Sequence, residues 1–441
     1  MPDDEHVPSG RLKRLSRLAY LTARTTGDLL AAQARRRLSN GPADHDDLRK
    51  AGERILATLG ELKGAALKLG QALAMDPDAL PEEARSVVAK LLSQAPQRME
   101  LAQVRDVVIA ELGKPPEELF AEFDPEPMAA ASLGQVHAAR LHDGREVVLK
   151  VQYPGVDKAL DSDLRNAAVL VRGFALTGET LDGRPYYDEL RRSLMRELDY
   201  REEAAQCDAW RKAAARYPEL VAPEVVYERS SQRVLCLTRL RGKLLIDFIE
   251  SKPPAPDEER FRVGRLMLFA IWGPFYSARL IHADPHPGNF LVMPDGRLGV
   301  LDFGATKRLS PQFATVYRHF VDVNGAGREI PDVGPLLKKA GFRFLGDDEE
   351  DGFEFCQRIA DVVQRPIVQE IYDFSSEALF WEVKRTFARD TRVALTIKPP
   401  AEAILFYRSV AGLAQDLRLM KAKGPFRSVL GEISQRGVTE E

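Results

Sequence analysis

The stretch HADPHPGNF (residues 282–290), followed by VLDFGATKRL (300–309), decides how this chain is read. It places an aspartate, Asp284, an asparagine five residues on, Asn289, and a second aspartate thirteen residues further, Asp302, each beside turn-forming Pro or Gly. HADPHPGNFLV and RLGVLDFG read as strand-loop pieces, so the polar residues fall within or beside turns. Two carboxylates and a carboxamide presented from adjacent loops suit a hard divalent cation and a phosphate-bearing ligand. The rest of the sequence then has to supply the other parts of such a site.

Bulk composition excludes several classes first. At 441 residues the chain is long enough for about two or three domains. It is 44% hydrophobic and 29% charged with a net charge of −3, an ordinary globular balance with no global attraction for nucleic acid. Cys207, Cys236 and Cys356 are far apart and lack metal-ligand spacing, so neither a disulfide framework nor a zinc site is expected. No stretch approaches the roughly 20 apolar residues of a membrane span, and MPDDEH lacks the basic-then-apolar order of a secretory signal. The apolar run AILFYRSVAGLAQDL is broken by Arg408 and Asp416. The expected location is cytoplasmic.

Working outward, residues 11–38 read as a basic amphipathic helix, with Leu12, Leu15, Ala19, Ala23, Leu30 and Ala34 at near-helical spacing. Such a helix can dock peripherally on an anionic membrane. Its apolar side is alanine-rich and has no Trp or Phe, which favours packing on its own domain. Helical patterns continue over 46–112, and Pro115, Pro116, Pro125 and Pro127 mark a boundary. From 129 the pattern changes to QVHAARL, an Asp143-Gly144 turn and REVVLKVQY, a β-hairpin. A long helical segment covers about 187–216, RVLCLTRL (233–240) reads as a strand, and the remainder is mainly helical. The expected domains are an acidic start and basic helix (1–45), a helical extension (46–125), a small sheet-plus-helix lobe (126–240) and a mainly helical lobe (241–441).

Lys150 ends the apolar run VVLK, and a lysine so placed on a strand needs anions. A protein-kinase strand lysine has this form: it binds the nucleotide phosphates while a glutamate of the following helix holds it. That helix here contains ELDYREEA, with Glu197, Asp199 and Glu203. Asp284 sits where a kinase aspartate accepts the substrate hydroxyl proton, and Asn289 and Asp302 sit where Mg2+ is held. Alone, each motif has an ordinary structural reading: an exposed strand lysine, a turn-capping aspartate, a common tripeptide. In this order and spacing they specify an ATP and Mg2+ site. One part departs from the pattern. Instead of a glycine-rich phosphate loop the chain has MAAASLG, so Ala129, Ala130, Ala131 and Ser132 occupy its place, and alanine Cβ atoms restrict backbone approach. No APE-like segment follows DFG either.

These departures, with KLGQ (68–71), AAAS (129–132), VVLKVQYPGV (147–156), ELDYREEA (197–204), HADPHPGNF and LDFG, resemble the UbiB/AarF family of atypical, protein-kinase-like proteins associated with ubiquinone biosynthesis and organellar lipid metabolism. The likeness covers about residues 60–310. It implies an α+β, protein-kinase-like two-lobe fold with an N-terminal helical extension. It implies that Lys68 and Gln71 fold over the active site, Lys68 meeting Glu197 and Asp199, and that Glu203 partners Lys150. The extension would then exclude ordinary protein substrates, leaving ATP hydrolysis or phosphorylation of a lipid-like or quinone-like small molecule. By itself KLGQALA is also an ordinary helix-packing face. Many relatives carry C-terminal transmembrane helices, a pattern this sequence lacks.

Two other readings stay open from the sequence. Aminoglycoside- and choline-kinase-type phosphotransferases also carry an H-x-D-x-x-P-x-N loop, without KLGQ, AAAS and ELDYREEA. A nucleotide-binding pseudokinase that regulates a lipid or quinone enzyme by contact would keep the fold; the intact Asp284, Asn289 and Asp302 weigh against it.

Overall fold

The computed structural model describes residues 98–131, 133–157, 198–346 and 349–437. They fall into two compact units: the first runs to Asp199 and includes Ser231–Val234, the second comprises Tyr200–Ser230 and the chain from Leu235.

In the first unit, α1 (Leu101–Leu112) precedes three antiparallel strands, β1 (Glu122–Ala131), β2 (Gly134–Arg140) and β3 (Glu146–Gln152). Helix α1 ends at Gly113, whose φ of 79° is the left-handed geometry that glycine adopts freely. On β3 the side chains alternate: Val147, Leu149 and Val151 are buried, and Val148 and Lys150 take the other face. The β2–β3 turn is at Asp143-Gly144, with Gly144 at φ 89° and its N–H donating to the Leu141 carbonyl at 2.9 Å, as the sequence signal specifies. The sheet starts earlier than expected. Pro125 and Pro127 lie inside β1 rather than in a boundary loop, and the register shifts on either side of Pro127. As the outer strand of the meander, β1 can omit ladder donors and absorb prolines at such irregularities.

A buried polar network ties the start of the described chain to β2. The Met99 N–H donates to Gln135 Oε1 at 3.0 Å, Gln135 Nε2 lies 2.9 Å from His137 Nε2, and His137 Nδ1 lies 3.0 Å from the Asp124 carbonyl. Burial lowers the His137 pKa, which favours the neutral imidazole that such a network uses.

Gly134, the lone glycine left in the alanine-rich stretch, has a packing reason. A Cβ there would sit 2.1 Å from the Val151 carbonyl oxygen, which belongs to rigid ladder backbone. Gly134→Ala should therefore force β2 from β3 and lower stability by about 1–3 kcal/mol, the usual range for overpacking. A thermal melt matching the parent would show that the hairpin yields without strain.

The second unit begins with α2 (Tyr200–Ala213) and centres on α3 (Asp257–Ala278), a helix with a charged N-terminal part that is buried from Val263 to Tyr276 apart from Arg265. Around it pack α4 (Pro311–Gly325), α5 (Ala401–Leu419) and α6 (Phe426–Gly437). Trp272, Phe275, Phe313, Tyr317 and Phe406 form an aromatic core with ring centroids 4.3–5.7 Å apart. Helix α4 starts cleanly because the Ser310 hydroxyl caps Phe313 N–H and Pro311 occupies its first turn.

Short strands frame the loops of interest. Strands β4 (Leu220–Val221), β6 (Lys243–Leu244), β8 (Phe290–Val292) and β9 (Leu298–Val300) form one sheet, while β7 (Leu280–His282) pairs antiparallel with β10 (Thr306–Arg308). Strand β5 (Val234–Thr238) precedes β6, and in the second unit its Thr238 N–H donates to the Glu224 carbonyl at 2.9 Å. Among the described residues, no helix is long and apolar enough to cross a membrane.

Candidate active site

Two loops of the second unit, 283–289 between β7 and β8 and 301–305 between β9 and β10, are fastened edge to edge. Ala283 N–H donates to the Ala305 carbonyl at 3.2 Å, Leu301 N–H to the Asn289 carbonyl at 2.9 Å, and the buried His282 Nε2 lies 2.5 Å from the Asp302 carbonyl. These crosslinks bring Asp284, Asn289 and Asp302 to neighbouring positions, as the sequence spacing anticipates.

Within the first loop Pro287–Asn289 forms a 3-10 turn, and His286 Nδ1 accepts from Gly288 N–H at 3.0 Å. Asn289 Nδ2 donates to the Asp284 carbonyl at 3.0 Å and lies 3.5 Å from Asp284 Oδ2. With its amide nitrogen committed to Asp284, the Asn289 carboxamide oxygen is the atom suited to a metal. In the second loop Asp302 Oδ1 accepts from Gly304 N–H at 2.9 Å, which fixes the carboxylate against its own backbone. Glu203, in the first turn of α2, is buried, and its carboxylate meets the same glycine: a Cβ built on Gly304 would lie 3.4 Å from Asp302 Oδ1 and 3.9 Å from Glu203 Oε2. A Cβ at 304 would make only ordinary van der Waals contact with both carboxylates, so the glycine marks how near the two groups come to one backbone position.

Residue 408 is a participant that sequence reading treated only as a break in an apolar run. Arg408 Nη2 on α5 lies 2.7 Å from Asp284 Oδ1, and the adjacent Ser409 hydroxyl donates to the His282 carbonyl at 2.7 Å. One turn of α5 thus holds both ends of the HAD tripeptide. The one available signal was a charged-polar pair inside the mainly apolar run AILFYRSVAGL.

Other candidates lie in the first unit. Lys150 is half-buried on β3, opposite Val136 on β2. Ala129, Ala130 and Ala131 are not a loop but the last residues of β1, paired with Val136, Gln135 and Gly134. Asp199 follows Leu198, whose carbonyl accepts from Gln152 Nε2 on β3 at 2.8 Å. Lys68, Gln71, Ser132 and Glu197 lie outside the described residues, as does segment 11–38.

Hard oxygen donors, one charged and one neutral, fit Mg2+, which keeps waters and takes substrate phosphates to complete six ligands. Among the described residues no group of three or more His, Cys, Asp or Glu gathers as a metal cage.

Three comparisons bear on this geometry. The model of the ABC1 atypical kinase-like domain matches residues 90–323. The chain is 29% identical to the mitochondrial atypical kinase COQ8B of Rattus norvegicus over 93% of its own length and 78% of the rat protein. It is 32% identical to the mitochondrial atypical kinase coq-8 of Caenorhabditis elegans over 72% of this chain, a span that is 43% of the worm protein. A solved Mycobacterium tuberculosis protein in complex with erythromycin superposes with a TM-score of 0.59 at 29% identity, covering 87% of this chain and 95% of that one. Arg408 lies beyond the domain match.

Proposed function

The chain belongs to the ABC1 atypical kinase-like family, that of the UbiB, AarF and COQ8 proteins, and on that footing we propose that it is a Mg2+-dependent ATP phosphotransferase or ATPase acting on a small or lipid-like molecule in quinone or lipid metabolism. The observation that carries this reading is the crosslinked loop pair presenting Asp284, Asn289 and Asp302. In it Asp284 accepts the proton of the attacking hydroxyl, and Asn289 and Asp302 would hold Mg2+, which when bound would supply charge neutralisation for the phosphoryl group. Lys150 binds phosphates, with Glu203 as its partner, in a two-lobe arrangement. The strand Ala129–Ala131 and Ser132 take the place of a glycine-rich phosphate loop. Lys68 and Gln71 from the extension, with Glu197 and Asp199, close the site to peptides. The mycobacterial relative was solved with erythromycin bound, which supports a small organic molecule as a ligand of this fold.

Phosphate release by the purified chain with Mg2+ and ATP, with and without anionic vesicles and simple phenols, tests this. Turnover that rises with either addition supports it; nucleotide binding without any phosphate release would make the chain a regulatory pseudokinase. The ion-pair assignment makes a separate prediction. Glu203→Ala would leave Lys150 without its partner, a loss on the order of 3–5 kcal/mol for a dehydrated pair, so melting temperature and ATP affinity should fall together. A variant that melts and binds ATP as the parent does would move the partnership to another carboxylate, Glu197 first.

A further inference from the structure

Two helices of the second unit, Ala378–Arg389 and Thr391–Thr396, contain no buried residue, whereas α3 to α6 each bury several. In the first of them Leu379, Glu382, Val383 and Thr386 are half-buried and recur at helical spacing, which marks the side turned to the protein. The opposite stripe, Trp381, Arg385 and Ala388, is exposed, with Phe387 at its border. Trp381 and Phe387 each leave 46% of their surface in water. The other two tryptophans of the chain, Trp210 and Trp272, are buried. Phe387 is not loosely held: its ring packs edge-on against Phe355 with centroids 5.1 Å apart and still faces outward. Large aromatic side chains held together in water mark a surface that meets something else.

The charge around these rings is basic. Residues 378–398 carry Lys384, Arg385, Arg389, Arg392 and Lys398 against Glu382 and Asp390, a net of +3 in a chain whose total is −3. Both acids are already paired, Glu382 with Arg365 at 2.7 Å and Asp390 with Arg358 at 3.1 Å and Arg389 at 3.0 Å. Glu377, just before the helix, pairs with Arg418 at 2.6 Å. Arg385 and Arg392 are exposed and make no ion pair among the described residues.

We propose that the outer face of Ala378–Arg389, with Arg392, docks on an anionic lipid surface. Trp381 and Phe387 enter the headgroup region, and Arg385 and Arg392 meet lipid phosphates. Aromatic rings interleaved with basic side chains are the pattern of interfacial helices, whose rings sit at headgroup depth while arginine stems lie along apolar surface. The two rings stand six residues apart, about 9 Å along the helix axis. A fluid lipid surface accepts anchors so spread, whereas a protein partner needs a fitted pocket for each. A second copy of the chain would set like charges against each other. The proposal rests neither on the nucleotide site nor on residues 11–38.

Trp381 is its own probe. Vesicles of phosphatidylcholine and phosphatidylglycerol, added to the whole chain, should shift tryptophan emission to the blue, and bromine on the acyl chains should quench it. Trp381→Phe should remove both responses, because the remaining tryptophans are buried. Vesicles of phosphatidylcholine alone should bind about tenfold or more weakly. Arg385→Gln combined with Arg392→Gln should weaken co-sedimentation with anionic vesicles about twenty-five-fold, at about fivefold for each surface charge. Both positions are exposed, so the variant should melt as the parent does. Absence of vesicle binding overturns the proposal. So does binding that leaves Trp381 unquenched or ignores the two arginines, which would place the contact on another segment. A blue shift with polyglutamate and none with vesicles would make the face a docking site for an acidic protein. A shift that grows with protein concentration, with a dimer in sedimentation, would give it to a second copy. Either result overturns the lipid assignment.

Discussion

Asp302→Asn should abolish the thermal stabilisation that Mg-ATP gives the parent protein. At ligand concentrations near a hundred times Kd that stabilisation is about 2.7 kcal/mol, large enough to read directly from a melting curve. The substitution keeps the side chain's shape, and an asparagine Oδ1 can still accept from Gly304 N–H, the 2.9 Å bond that sets the loop. What it removes is one negative charge from a site whose ligand reaches the protein through a dication. Asn289→Ala removes only a neutral oxygen donor, together with the amide contact to Asp284 at 3.0 Å, so its effect should be smaller. Thermal shift with ATP in the presence and absence of Mg2+ separates the two. Stabilisation of Asp302→Asn equal to that of the parent would take the metal away from this loop.

The site was legible wherever its parts are local in sequence. HADPHPGNF and LDFG combine turn residues, short apolar flanks and polar groups at fixed offsets, and such stretches determine their own loop geometry whatever surrounds them. The Asp-Gly hairpin was legible for the same reason. Arg408 was not, because it lies 124 residues from Asp284 and reaches it only through the packing of α5 on the aromatic core. Nothing in AILFYRSVAGL tells an arginine that binds a distant carboxylate from one that faces water. Pro125 and Pro127 misled for a different reason: proline argues against a central strand, and β1 takes them as an outer strand with register shifts. The alanines of MAAASLG read as standing in the place of a phosphate loop, and composition alone did not show them as a ladder ending at Gly134, where an added Cβ would meet the Val151 carbonyl.

The ABC1 match stops before α5, so the catalytic assignment of Asp284 needs a test that includes its arginine. Asp284→Asn should lower turnover by about 10²–10⁴-fold, the usual contribution of a positioned general base, and leave Mg-ATP binding near the parental level. Asparagine fills the same space and still faces Asn289, but it takes no proton. It also leaves the Arg408 guanidinium, whose Nε already lacks a partner among the described residues, without its carboxylate. Some loss of stability should therefore accompany the loss of rate. Arg408→Ala separates the two effects. If the arginine only orients the carboxylate, that variant keeps the base and should lose part of the rate with nucleotide affinity unchanged. The double variant should be no slower than Asp284→Asn alone, because orienting a carboxamide that cannot accept a proton has no value. Single-turnover rates for the parent and the three variants give this cycle. A parental rate in a well-folded Asp284→Asn protein would show that water or the acceptor loses its proton elsewhere, and that the Arg408–Asp284 pair is a fastening between α5 and the loop with no part in the chemistry.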